Sequence, residues 1–119
     1  MPTNTLQNNV VNRITNFQVA GNGVFLGVTS SSSPVEFPAL PDGSPCTDVM
    51  IINPGSNTAF FTFGETSPTA AIPTNGTPAN GIAILAGQTL VMGKGSATFM
   101  AAITASSTTT LYAYQGYGS

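Results

Sequence analysis

The residues able to do chemistry in this chain of 119 are two basic and four acidic side chains, one cysteine and no histidine. Arg13, Glu36, Asp42, Asp48, Glu65 and Lys94 are the ionic groups, and Cys46 is the thiol. Proton transfer needs a group poised near the working pH, most often histidine, otherwise a paired carboxylate or a buried lysine. The carboxylates are far apart in sequence, with no Asp-x-Asp run to gather a hard cation. A cysteine nucleophile needs a base to take its proton, so Cys46 reads as a small residue near a strand start. The expectation is a protein that is not an enzyme, with no catalytic, cofactor-binding or metal-ligating residue.

Three glycine-containing motifs invite stronger readings. Gly21-Asn22-Gly23-Val24-Phe25-Leu26-Gly27 resembles a dinucleotide loop in outline, but its spacing is one residue too long. β-Branched and aromatic residues also follow where a helix must begin, so Asn22-Gly23 is taken as a hairpin turn. Gly93-Lys94-Gly95-Ser96 looks like the end of a phosphate loop, yet the glycine needed at position 88 is Gln88; it reads as a tight turn. Asn75-Gly76-Thr77 matches a glycosylation sequon, and the N-terminus lacks the basic start and apolar centre of a secretory signal. It too reads as a turn.

Charged residues make up 5% of the chain, against roughly 25% in an average soluble domain. Ser, Thr, Asn and Gln take their place. Hydroxyls and amides cost less to desolvate than ions, which suits a protein that is packed against others. A net charge of −2 gives no basic patch for a phosphate backbone, so nucleic acid is not an expected partner. No apolar run approaches the roughly 20 residues that span a bilayer, so neither is a membrane. One cysteine fits synthesis in a reducing cytoplasm.

The elements that must position these residues are strands. Segments Phe17–Val19, Val24–Val28, Val35–Phe37, Asp48–Ile52, Thr58–Phe63, Gly81–Leu85, Gln88–Met92, Phe99–Thr104 and Thr110–Tyr114 are separated by Gly, Pro and Asn turns. No helical stripe appears, and Ile82, Ile84, Leu90 and Met92 alternate at period two. Prolines around Val35–Phe37 confine that strand to a sheet edge. The fold expected is all-β, an antiparallel sandwich or jelly roll of about 8–9 short strands, in one domain over residues 17–119. Residues 1–16 form an extended N-terminal arm with Val10, Val11 and Ile14 as apolar anchors, and residues 65–80 form a long exposed loop. Tyr112 and Tyr114 share one face of the last strand. Tyrosine brings apolar area with a polar tip and is enriched at interfaces, so the expected interface is Val10, Val11, Ile14, Phe17, Tyr112, Tyr114 and Tyr117. A sugar-stacking platform of Tyr112, Tyr114 and the 65–80 loop is the competing use of these rings.

Three segments in the second half carry a resemblance. They are Asn53-Pro54-Gly55-Ser56-Asn57-Thr58-Ala59-Phe60-Phe61-Thr62-Phe63-Gly64, then Ile84-Leu85-Ala86-Gly87-Gln88-Thr89, then Ala101 to Ala105 running into Thr110 to Gly118. In this order, over roughly residues 48–118, they resemble the small β-sandwich decoration (cement) proteins of tailed double-stranded DNA bacteriophage capsids. The resemblance implies a structural virion protein on the capsid exterior, made in the host cytoplasm. Its implied partners are the major capsid protein and other copies of itself, as a homodimer or homotrimer. It carries no cofactor and no catalytic residues. Another virion component, a head fibre base or tail protein, is the nearest alternative.

Overall fold

The computed structural model describes residues 17–40 and 46–117. Within them are nine strands and no helix: β1 (Gln18–Val19), β2 (Val24–Val28), β3 (Ser33–Glu36), β4 (Asp48–Ile52), β5 (Ala59–Gly64), β6 (Ile82–Ile84), β7 (Thr89–Gly93), β8 (Phe99–Ile103) and β9 (Thr109–Tyr117). The all-β sandwich expected from the sequence is the observed fold. One sheet runs β1-β9-β4-β7 with β2 also on β9; the other runs β3-β8-β5-β6. All pairings are antiparallel.

Alternation supplies the core. Leu26 and Val28, Val49 and Ile51, and Leu111 and Ala113 face inward from the first sheet, meeting Ala59, Phe61, Ile84, Met100 and Ala102 from the second. Phe61, Ile51, Ile84, Met100 and Leu111 are fully buried, and burial of such side chains is worth about 1.5–3 kcal/mol each. Pro34 lies in β3, which is an edge strand as its missing N–H requires.

The Asn22-Gly23 hairpin is corrected. β1 and β2 do not pair with each other; both lie antiparallel along β9, one after the other. Val19 pairs with Gly116 and Val24 with Ala113, and Ala20 N–H donates to Gln115 O at 2.8 Å. Gly21, Asn22 and Gly23 therefore stand together opposite Tyr114. They form a bulge, with Gly21 at φ +79°. A Cβ on Gly23 would collide with the Tyr114 ring, which occupies that space. β9 is long enough to give both short runs a ladder, so no chain reversal is needed.

Residues 65–80 are the long exposed loop expected from the sequence. The segment is mostly exposed, but Ala70 is 2% exposed, and its N–H donates to Ser32 Oγ at 2.9 Å. Pro68 packs beside Gly64, and Gly81 N–H donates to Ala71 O at 2.8 Å close to Phe60. These anchors carry the loop diagonally across the outside of the second sheet. Ala101 and Thr62 are buried beneath it although they point away from the core.

Buried polar side chains stand at both ends of the sandwich. At the first, Asn53 is fully buried. Its Nδ2 donates to Asn57 O at 2.9 Å and Ile84 O at 3.1 Å, while its Oδ1 accepts from Gly55 N–H and Thr109 Oγ1. At the second, Lys94 Nζ donates to Cys46 O and Ala97 O, both at 2.7 Å. Buried polar groups persist only when satisfied in this way.

Candidate functional site

The outward face of the first sheet is built from the residues that alternate with its core positions. β9 contributes Thr110, Tyr112, Tyr114 and Gly116; β2 contributes Phe25 and Gly27; β4 contributes Asp48, Met50 and Ile52; β7 contributes Thr89 and Val91. Register places them in cross-strand rows: Phe25 beside Tyr112 beside Ile52, and Tyr114 beside Met50 beside Val91. Cross-strand neighbours of this kind lie within contact reach. The Phe25 and Tyr112 rings are 5.5 Å apart, tilted at 56°.

Much of this surface is open among the described residues. Phe25 is 55% exposed, Val19 50% and Tyr112 39%, while Met50, Ile52, Val91 and Tyr114 are half-buried. Asp48, at the end of the face, is its charged residue.

Of the expected interface residues, the structure brings Phe17, Tyr112 and Tyr114 to this face. The Phe17 ring lies over Gly116, where a Cβ would otherwise stand. Tyr114 leans on the bare backbone of Gly23 and is less exposed than Tyr112. Tyr117 is 44% exposed but alternates to the other side of β9. Val10, Val11, Ile14 and the arm lie outside the described residues. The sugar platform is not assembled: Tyr112 and Tyr114 are on the outside of the first sheet, and the 65–80 loop covers the outside of the second.

Sequence reasoning missed Phe25, Met50, Ile52 and Val91. Their signal was the period-two alternation of β2 and β4, obscured because Asp48–Ile52 is apolar at nearly every position and reads as buried on both sides. It also read Lys94 only as part of a turn. Among the described residues, no three His, Cys, Asp or Glu side chains gather as a metal-holding group.

No family model matches the chain, and no curated protein matches it. Solved structures do, at low identity. PirA is similar at 10% identity and a TM-score of 0.48, over 82% of this chain and 96% of that one. A cupin-2 domain protein from Shewanella frigidimarina is similar at 13% identity and a TM-score of 0.42, over 92% and 93%. Hydroxypropylphosphonic acid epoxidase from S. wedmorenis is similar at 7% identity and a TM-score of 0.45, over 78% of this chain and 42% of that one. The likeness is one of sandwich architecture.

The expectation that the chain is not an enzyme is corrected by the last of these. A scarcity of ionic groups does not exclude catalysis. Composition was the wrong ground for excluding it, because a site needs only a few groups in the right surroundings.

Proposed function

We propose that this chain is a structural virion protein that decorates the outside of a tailed-phage head and strengthens contacts between coat subunits. The observation that carries the reading is the asymmetry of the two outer faces. The 65–80 loop covers one, and the other presents Val19, Phe25 and Tyr112 with Met50, Ile52, Tyr114 and Val91 between them. Exposed apolar patches rimmed by polar residues mark protein–protein contact sites. Here Thr89 and Thr110 supply hydroxyls at the rim and Asp48 is the charged residue there, so little desolvation opposes docking. The resemblance of residues 48–118 to decoration proteins supports the same reading.

The partner proposed is the major capsid protein, with further copies of the chain alongside. Many copies on a repeating shell give avidity beyond one weak contact. Phe17, the first described residue, lies on that face, and residues 1–16 are included in the proposed contact.

Cosedimentation with heads stripped of decoration tests this. Wild-type protein is expected to coat the heads. The double substitution Phe25→Ser, Tyr112→Ser is expected to reduce coating at least ten-fold while circular dichroism stays unchanged. A chain lacking residues 1–16 is expected to fold and to lose coating. Undiminished binding by the face variant or by the truncation overturns the corresponding part of the proposal.

A further inference from the structure

Sheet edges carry unpaired backbone N–H and C=O groups that invite another strand, and proteins guard them with proline, charge, bulges, short strands or cover. Among the described residues, β3 is guarded by Pro34 and Glu36, and β6 has only three residues. β2 leads into β3 and packs against it and β8, with its inward Leu26 and Val28 buried. β7, the outer strand of the first sheet beyond β4, has none of these guards among the described residues. Its sequence is Thr89-Leu90-Val91-Met92-Gly93, without charge or proline. Lys94 follows it, but Nζ turns inward to Cys46 O and Ala97 O and leaves the edge uncharged.

The ladder shows which backbone groups of β7 turn outward. Asn53 N–H donates to Gln88 O and Lys94 N–H to Thr47 O, so positions 88, 90, 92 and 94 face β4. In an antiparallel ladder both main-chain groups of one residue point the same way, and the next residue's point the other. Those of Thr89, Val91 and Gly93 therefore turn away from β4. The inward side chains of this strand, Leu90 and Met92, pack on the core yet remain half-buried. A strand laid along β7 would satisfy the first set of groups and shield the second.

We propose that this strand is β7 of a second copy, paired antiparallel about a two-fold axis at Val91. In that register Val91 exchanges both backbone hydrogen bonds with its counterpart, and Thr89 does so with Gly93 of the second copy. The register is self-complementary, as a two-fold interface requires. It brings no like charges together, because Asp48, beside Gly93, comes into line with Thr89 of the second copy. It also makes the apolar rows continuous: Tyr114, Met50 and Val91 run on into the same three residues in reverse order. The pairing names the copy-to-copy contact of the function proposed above and rests on that reading for its setting. Its test uses free protein, so its failure is separate from a failure to coat heads.

Sedimentation velocity without heads is expected to show dimers, both for the full chain and for a chain lacking residues 1–16. Val91→Lys sets two ammonium groups opposite each other at the axis. It is expected to weaken the dimer at least ten-fold with circular dichroism unchanged. A hydrogen-bonded antiparallel pair has Cα atoms about 5.5 Å apart, within the range a disulfide spans. Val91→Cys is therefore expected to give a disulfide-linked dimer under mild oxidation at least ten-fold faster than Phe25→Cys or wild type, whose Cys46 is buried. Should Val91→Lys fail to fold, the linking rates at positions 91 and 25 decide. A monomeric full chain, a dimer that tolerates Val91→Lys, a dimer lost with residues 1–16, or equal linking at the two positions overturns the proposal.

Discussion

Lys94 and Asn53 show how much a single side chain can hold in a protein with so few ions. Asn53 has all four of its side-chain hydrogen-bonding capacities in use, on residues up to 56 positions away. From the sequence, Asn53-Pro54-Gly55 read as a stop to β4, and it is one. Its second duty, joining β4, β6 and β9, was not legible because Ile84 and Thr109 come near only when the sheets close. Lys94 has a testable electrostatic consequence. Its folded pKa lies below 10.5, so the folded chain binds fewer protons than the unfolded chain between those two values. The cost of burying the cation is full below the folded value and fades as pH rises towards 10.5, so stability through Lys94 climbs with pH in that window. Denaturant titrations of wild type and Lys94→Met from pH 7 to about 10.5 should show the difference moving in favour of wild type. A difference that stays flat rejects the buried ammonium.

Strands whose limits are set by turn residues were legible, and Val24–Val28 and Asp48–Ile52 end where expected. Pairing was not. Asn22-Gly23 carries the strongest local hairpin signal, but the ladder available on β9 outweighed it, and the glycines became a bulge instead. The last strand also runs on to Tyr117, past Tyr114 where the expected segment stops, because β1 and β4 flank it there. Gly23 is where sequence, bulge and candidate face meet, since its missing Cβ gives Tyr114 its seat. Gly23→Val should displace that ring and cost about 1–3 kcal/mol, the range for forced overpacking. The readouts are a lower urea midpoint and a changed near-ultraviolet tyrosine signal; an unchanged midpoint would show that the ring has another place to rest.

At the scale of the whole molecule, the scarcity of charge becomes a statement about forces. Attraction between ions at a surface fades over about 10 Å at 0.1 M salt, and association that depends on it weakens as salt rises. A face of Phe25, Tyr112, Met50 and Ile52 has little to lose by screening. Coating of stripped heads should therefore change less than about two-fold between 0.05 and 0.5 M sodium chloride, measured by cosedimentation. A steep decline with salt would place the contact on the few ionic groups instead. The apolar face was half legible: Tyr112 and Tyr114 were found from alternation alone, whereas their neighbours from β2, β4 and β7 needed the register. The cover over the second sheet was not legible, since Ala70 looks like any other small residue in a polar loop.

That cover gives the molecule a back as well as a front. Its outermost turn, Thr74-Asn75-Gly76-Thr77, is closed by paired backbone hydrogen bonds between Thr74 and Thr77, with Gly76 at φ +77° and open space around it. A foreign peptide spliced into that turn would ride on the side away from the aromatic rows. Heads clothed in such a protein would become a lattice of outward-facing epitopes, their spacing dictated by the shell beneath.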